Sequence, residues 1–121
     1  MTKRVLVIED QEDNRAILRD LLTSAGLEAI EAVNGADGVA MAESETPDLI
    51  LMDIQLPVID GYEATRRIKS NPSLEAIPVI AVTSYALSGD AEKAKLAGCD
   101  AYVTKPFSPR ALLSKVNEFL P

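Results

Sequence analysis

Short apolar runs alternate with amphipathic segments five times along this chain of 121 residues, and this alternation constrains the fold more than any other feature. Such regular alternation is typical of a parallel sheet covered by helices on both faces. The predicted strands are residues 4–9, 28–32, 48–53, 77–83 and 100–103. The predicted helices are residues 13–25, 36–45, 60–70, 87–97 and 108–120. The pattern predicts an α/β fold, a doubly wound five-stranded parallel sheet, in one domain of residues 1–121.

Charged and hydroxyl side chains stand at the ends of the predicted strands. Glu9 and Asp10 close the first run, Asp53 closes the third, Thr83 closes the fourth, and Lys105 follows the fifth. In open α/β sheets, ligands bind outside the carboxyl ends of the strands. An alternative explanation is that the acids only cap the helices that follow them. This would account for Glu9 and Asp10, but not for Asp53 together with Thr83 and Lys105. The sequence therefore predicts a functional site at this edge.

The residue types at these strand ends indicate a metal and a phosphoryl group. Acids that converge raise one another's pKa, and a hard divalent cation resolves that conflict. Oxygen ligands alone favour Mg²⁺, with Mn²⁺ as the alternative ion. A carboxylate can then act as the nucleophile and form an acyl phosphate. Lys105 would hold one phosphoryl oxygen as a point charge, and the hydroxyl of Thr83 would hold another.

Composition excludes several other classes of function. The chain has no histidine and one cysteine, Cys99, so a disulfide, a typical zinc site and histidine catalysis are excluded. The net charge of −7 argues against binding to nucleic acid. The one basic cluster, Arg66, Arg67 and Lys69, is interpreted as a solvated helix face. We find no membrane-spanning run and no signal peptide, and therefore expect a cytoplasmic protein without membrane contact.

The ordered set of motifs resembles the receiver domain of two-component response regulators, the CheY-like fold. The motifs are Glu9-Asp10, Asp53-Ile54-Gln55-Leu56-Pro57, Asp60-Gly61, Thr83-Ser84 and Lys105-Pro106. The resemblance covers the whole chain and implies the strand order 2-1-3-4-5. The runs from Glu9 to Arg15 and from Leu49 to Pro57 are similar to receivers of hybrid kinases and of the DivK-like single-domain group.

The resemblance implies a role for each acid. Asp53 accepts a phosphoryl group from a phosphohistidine on a sensor histidine kinase or a histidine phosphotransfer protein. Asp10 and Asp53 bind Mg²⁺ directly, Glu9 binds it through water, and the backbone carbonyl of Gln55 completes the ligands. Glu9 stands where the family more often has Asp.

The resemblance also implies a switch. Thr83 and Lys105 contact the phosphoryl group, and Tyr102 is the aromatic side chain that turns inward as Thr83 moves. Lys105-Pro106 matches the family's cis peptide bond. Gln55 and Tyr85 occupy the two positions that tune the rate of dephosphorylation. A glutamine could orient a water there and a tyrosine could shield the acyl phosphate, so the lifetime is left open.

Two partner surfaces are predicted. The apolar stripe of the first helix is wide for a helix on a sheet, so Ile17 and Leu21 form either part of the core or an exposed edge that docks the kinase. Tyr102, with the fourth and fifth helices, would contact a downstream protein target by a shift between two pre-existing states. Four further residues are assigned to either core or interface: Leu87, Ala91, Ala94 and Leu96.

The preferred hypothesis is a stand-alone receiver that signals by protein contacts and catalyses only its own phosphorylation and dephosphorylation. The alternative is a receiver domain excised from a hybrid histidine kinase or a larger regulator. A haloacid-dehalogenase-type phosphatase would need an Asp two residues after the nucleophile, where this chain has Gln55. A flavodoxin-like cofactor binder would need a glycine-rich loop after the first strand, which is missing.

Overall fold

The computed structural model describes residues 2–83, 90–105 and 108–120, without the side chains of Asp90 and Ala91. Its strands are β1 (Arg4–Ile8), β2 (Glu28–Ala32), β3 (Leu49–Asp53), β4 (Val79–Thr83) and β5 (Ala101–Thr104). Its helices are α1 (Glu12–Ser24), α2 (Gly35–Glu45), α3 (Gly61–Lys69), α4 (Asp90–Ala97) and α5 (Pro109–Phe119). The predicted alternation is confirmed, and the predicted start of the fourth helix lies outside the described residues.

The strands form one parallel sheet in the order β2-β1-β3-β4-β5, as predicted. From β1 the chain first passes to β2 on one side and later to β3 on the other. The carboxyl ends of β1 and β3 therefore flank the topological switch point, where sheets of this kind bind their ligands. In the register, Ile8 pairs with Met52, so the residues that follow β1 lie beside Asp53.

Both faces of the central strands are buried, which explains why these strands are apolar throughout. Val5, Val7 and Leu51 pack with α1 and α5, through side chains that include Leu22 and Leu112. The alternate residues pack with α2 and α3 on the opposite face: Leu6, Ile8, Ile50 and Met52. Each fully buried aliphatic side chain contributes about 1.5–3 kcal/mol of transfer free energy. The two-sided core confirms the doubly wound architecture.

Three of the described helices, α2, α3 and α5, begin at a side-chain cap. The side chain of Asn34 accepts a hydrogen bond from the backbone N–H of Asp37 at the start of α2. Asp60 caps α3 in the same way, and Ser108 caps α5 with a proline at the next position. Each such cap stabilises its helix by about 1 kcal/mol. In the part of the chain that the structure describes, no helix has the length and hydropathy required to cross a bilayer.

The interpretation of the basic cluster on α3 is wrong for Lys69. Arg66 and Arg67 are exposed, but the side chain of Lys69 is only 17% exposed. Its Nζ donates to the carbonyl of Ile77 at 2.7 Å and to Asp100 Oδ2 at 3.0 Å. Lys69 thus connects the end of α3 to the segments that lead into β4 and β5. These contacts are with residues distant in sequence, so the local pattern of charges could not predict them.

Candidate functional site

The three predicted acids meet at the switch point. Glu9 and Asp10 follow β1 directly, and Asp53 is the last residue of β3. Each offers a carboxylate oxygen, and these oxygens all lie within 4.8 Å of one another. Glu9 is 1% exposed and Asp53 is 5% exposed, whereas Asp10 is partly exposed at the mouth of the site. Parallel pairing of β1 with β3 is the reason for this convergence.

Lys105 supplies the positive charge of the site. Its Nζ lies 2.8 Å from Glu9 Oε1 and 3.5 Å from Asp53 Oδ2. Its backbone N–H donates to the carbonyl of Thr83 at 2.7 Å, which fixes the lysine relative to the end of β4. A buried carboxylate is tolerated only when it is paired, so this ammonium group is what allows Glu9 to lie almost fully inside the protein.

The pKa values of the two buried carboxyl groups, Asp53 and Glu9, are shifted in opposite directions. The pKa of Asp53 is raised to about 7, mainly by burial and further by the hydrogen bond and charge of Glu9, while the charge of Lys105 and the N–H of Gln55 offset part of the shift. Burial also acts to raise the pKa of Glu9, but hydrogen bonds from Lys105 and from the N–H of Gln11 outweigh it and lower that pKa. The pair therefore behaves as two like charges that share one compensating cation. A divalent cation would relieve this repulsion.

Gln55 links Asp53 to Thr83. Its backbone N–H donates to Asp53 Oδ1 at 3.1 Å, and its side-chain Nε2 donates to Thr83 Oγ1 at 2.9 Å. Thr83 is 1% exposed at the end of β4. The side-chain amide at this position, which the resemblance links to the rate of dephosphorylation, is thus hydrogen-bonded to the predicted switch hydroxyl.

The loop between β1 and α1 has two features that the sequence analysis missed. The backbone N–H of Gln11 donates to Glu9 Oε2 at 3.0 Å, and its side chain donates to Asp10 Oδ2 at 3.1 Å. Nη1 of Arg15 donates to the backbone carbonyl of Glu9 at 2.8 Å. One signal for Arg15 was present in the sequence, because it stands three residues before Leu18 and shares the buried face of α1 with it.

These groups line an open cleft of about 230 Å³. The lining residues are Glu9, Asp10, Gln11, Asn14, Asp53, Gln55 and Lys105. The carboxylate oxygens that converge here are ligands that Mg²⁺ prefers, and a partly open site leaves room for the waters that this ion retains. The residues present therefore fit Mg²⁺.

The loop between β3 and α3 presses closely against the end of β3. The N–H of Gly61 donates to the carbonyl of Ile54 at 3.0 Å. A Cβ atom at Gly61 would lie 2.4 Å from the carbonyl oxygen of Asp53, so only glycine fits there. In the same loop, Val58 has a φ of 75° and lies inside a γ-turn closed by a hydrogen bond from the N–H of Ile59 to the carbonyl of Pro57. This is a strained conformation for a β-branched residue.

The predicted partner surfaces differ in exposure. Ile17 is 53% exposed, whereas Leu21 packs in part against the core. Tyr102 is half-buried against Ile54, Ala81 and Ala94. Ala94 is therefore core, and Leu96 is 79% exposed. Five positions named above lie outside the described residues or side chains: Ser84, Tyr85, Leu87, Ala91 and Pro106, the last with its peptide bond to Lys105.

Comparison with known proteins agrees with this geometry. The model of the response regulator receiver domain family matches residues 5–117. The polar-differentiation response regulator DivK of Brucella ovis is 42% identical over 120 residues, which are 99% of this chain and 98% of DivK.

Solved structures give the same result. The receiver domain of sensor histidine kinase PA1611 from Pseudomonas aeruginosa, which has a magnesium ion coordinated in its active site cleft, is 35% identical with a TM-score of 0.91 over 98% of each chain. A receiver domain from Saccharomyces cerevisiae, crystallised with its histidine phosphotransfer protein, is 32% identical with a TM-score of 0.90 over 98% of this chain and 88% of that chain. These matches set aside the phosphatase and flavodoxin alternatives, and the chain belongs to the response regulator receiver domain family, a module of two-component signalling.

Proposed function

We propose that this receiver accepts a phosphoryl group on Asp53 from a phosphohistidine, with Mg²⁺ held by Glu9, Asp10, Asp53 and the backbone carbonyl of Gln55. The observation that carries the proposal is the convergence of the three carboxylates within 4.8 Å, beside the ammonium group of Lys105. Mn²⁺ has a similar preference for oxygen ligands and is proposed as a substitute.

The proposed step is an in-line displacement at phosphorus. A carboxylate oxygen of Asp53 forms the new P–O bond while the P–N bond of the phosphohistidine breaks, and the electron pair leaves with the imidazole nitrogen. The bound Mg²⁺ supplies charge neutralisation for the phosphoryl oxygens. Lys105 lies 3.5 Å from the carboxylate and offsets the charge of a phosphoryl group on Asp53. The protein is thus a signalling module that acts catalytically only on its own aspartyl phosphate.

The proposed switch begins at Thr83. Phosphorylation would draw the Thr83 hydroxyl toward the phosphoryl group and away from the amide of Gln55, which now donates to it at 2.9 Å. Tyr102 pairs with Ala81 across β4 and β5, two residues before Thr83, so a shift at the end of β4 reaches its ring. The surface formed by Tyr102, α4 and α5 would then contact a downstream protein target. Unchanged NMR signals of Tyr102 after addition of a phosphoryl analogue would contradict this switch.

Intact mass after incubation with Mg²⁺ and acetyl phosphate tests the phosphoacceptor. We expect one added phosphoryl group in the wild type, none in Asp53→Asn, and none when Mg²⁺ is chelated beforehand. Asp13→Asn, which removes an exposed acid from α1, is the matched control and should be phosphorylated normally. Phosphorylation of Asp53→Asn at the wild-type level would show that another residue accepts the group.

A sensor histidine kinase or a histidine phosphotransfer protein is the proposed donor. The support is the exposed apolar Ile17 on α1, which follows the loop of the site. Ile17→Asp should slow phosphotransfer from the protein donor and leave phosphorylation by acetyl phosphate unchanged. Thr23→Asp places the same charge at an exposed position on a different side of α1 and serves as control. Equal loss with both donors would contradict docking at Ile17.

A cytoplasmic location is part of the proposal, because the phosphohistidine of such donors is made from ATP. Binding to nucleic acid is not part of it, since a net charge of −7 opposes contact with a phosphate backbone. Binding of the protein to duplex DNA at physiological salt would contradict this.

A further inference from the structure

Arg15 is buried on the core-facing side of α1, where an apolar residue is expected. The residue is 9% exposed and stands with Leu18 and Leu22 among the buried positions of the helix. Arginine is rarely buried unless its guanidinium group is paired. A charged group at this position therefore calls for a physical explanation from its partners.

The guanidinium group of Arg15 joins three segments of the chain. Nη1 donates to the backbone carbonyl of Glu9 at 2.8 Å, in the loop of the site. Nη2 pairs with the carboxylate of Glu12 in the first turn of α1. Nε lies 3.5 Å from the carboxylate of Glu31 on the edge strand β2. The planar fork of arginine can serve several acceptors at once, which a lysine ammonium group cannot do with the same geometry.

We propose that Arg15 is a positioning residue for the metal site, which holds the backbone of Glu9 so that Glu9 and Asp10 present their carboxylates in the geometry that Mg²⁺ requires. The inference rests on the proposed function. Repulsion among the acids tends to drive the β1–α1 loop away from Asp53, and β1 itself ends at Ile8. The contact with Arg15 ties the loop to α1 and β2.

The other polar contacts of Glu9 involve its N–H and its carboxylate, whereas Arg15 holds its backbone carbonyl. The N–H of Glu9 donates to Ala32, which continues the pairing with β2, and its carboxylate is held by Gln11 and Lys105. The carbonyl contact with Arg15 fixes the peptide unit between Glu9 and Asp10, and therefore the direction in which both side chains leave the backbone. Magnesium tolerates little deviation from octahedral geometry, so a small rotation of this peptide costs affinity.

Arg19 provides a matched control on the same helix. Its Nη1 lies 3.0 and 3.1 Å from the two oxygens of Glu31, the carboxylate that also faces Arg15. Among the described residues, Arg19 makes no hydrogen bond or ion pair with Glu9 or Asp10, and its side chain is 42% exposed. Arg15→Met and Arg19→Met thus remove the same charge and keep a long aliphatic stem, but only the first removes the bond to the Glu9 carbonyl.

The experiment is a Mg²⁺ titration of wild type, Arg15→Met, Arg15→Lys and Arg19→Met, with binding followed by the amide NMR signals. It is carried out under conditions in which each protein is fully folded. We expect Arg15→Met to weaken Mg²⁺ binding by about 10-fold, which is typical of groups that orient metal ligands. Arg15→Lys should recover part of the loss, and Arg19→Met should bind as wild type does. In the metal-free proteins, the Gln11 amide should exchange with solvent faster in Arg15→Met only.

Other outcomes overturn the inference. Wild-type affinity in folded Arg15→Met, or equal weakening in Arg15→Met and Arg19→Met, would show that Arg15 is only a structural ion pair. If Arg15→Met does not fold, Arg15→Lys decides: weakened binding supports positioning, and wild-type binding refutes it. Failure of the wild type itself to bind Mg²⁺ would overturn the proposed metal site, and the role of Arg15 with it, and is distinct from the other results.

Discussion

Asp53→Asn should stabilise the metal-free protein, although it removes the residue on which the proposed function depends. Burial and the neighbouring Glu9 raise the pKa of Asp53 to about 7 from an ordinary value of 3.8. Above that pH, the carboxylate of Asp53 is ionised and buried in the folded protein, whereas in the unfolded chain it is ionised and hydrated. Burial of the charge therefore destabilises the folded state. Asparagine has nearly the same shape without the charge. Its oxygen can still accept from the N–H of Gln55, and its amide can donate to Glu9.

The magnitude follows from the shift in pKa. Each unit corresponds to about 1.36 kcal/mol, so a difference of roughly three units gives about 4 kcal/mol as an upper limit and about 2–4 kcal/mol as the expected gain. The folded pKa of Asp53 lies above the unfolded one, so this group's stabilising contribution is complete below pH 3.8 and is lost as the pH rises through about 7. The advantage of Asp53→Asn should therefore grow over this window and level off above it.

Thermal and denaturant unfolding of both proteins with EDTA, at about pH 5 and about pH 8, measure the effect. We expect Asp53→Asn to be the more stable protein at about pH 8, by roughly 10 °C in Tm, and the difference to fall by more than half at about pH 5. Saturating Mg²⁺ should stabilise the wild type more than the variant and close the gap. Asp13→Asn controls for net charge. Equal stability of Asp53→Asn and wild type at about pH 8, or a difference independent of pH, would refute the reasoning.

Two further predictions concern the loop after β3. Gly61→Ala should cost about 1–3 kcal/mol by overpacking and slow phosphorylation by acetyl phosphate, because the new Cβ would displace the carbonyl of Asp53. Gly26→Ala is the control, because Gly26 has a φ of 82° and no atom lies within 4 Å of the added Cβ. It should lower the free energy of unfolding by about 1 kcal/mol and leave phosphorylation unchanged. Equal effects of Gly61→Ala and Gly26→Ala on phosphorylation would contradict this prediction. Val58→Gly should stabilise the protein by about 0.5–1 kcal/mol by relieving its positive φ. Val33→Gly is the control: Val33 is also exposed but has no positive φ, so this change should destabilise the protein. If a denaturant titration showed that Val58→Gly is less stable than the wild type, backbone strain at Val58 would be refuted.

The elements of the fold were largely predictable because they depend on local patterns. Apolar runs of the correct length form buried strands wherever helices can cover both faces, as β1 and β3 show. Helix starts were predictable where a capping side chain stands in the sequence, as at Asp60 and Ser108. Boundaries were less certain: β4 begins at Val79, two residues later than predicted, since Ile77 and Pro78 still belong to the incoming loop.

The candidate site was predictable in its members and not in its internal bonds. Strand ends brought Glu9, Asp53 and Lys105 together because parallel strands place their carboxyl ends at one edge. The bond from Gln55 to Thr83 joins residues that are 28 positions apart, and no local pattern indicates it. Lys69 shows the same limit, since its neighbours in sequence are exposed and its partners come from other elements.

By itself, the sequence determined the order of strands and helices, the chemistry at the strand ends and the resemblance to receivers, because these follow from periodicity, capping and motif order along the chain. The tertiary structure alone decided the charge balance of the site. Lys105 reaches Glu9 across 96 positions, and the resulting competition between burial and pairing raises the pKa of Asp53 while it lowers that of Glu9. It also decided that Arg15 lies against the Glu9 carbonyl. Desolvation and hydrogen-bond geometry depend on distances in three dimensions, which the chain acquires only when the sheet and its helices have packed.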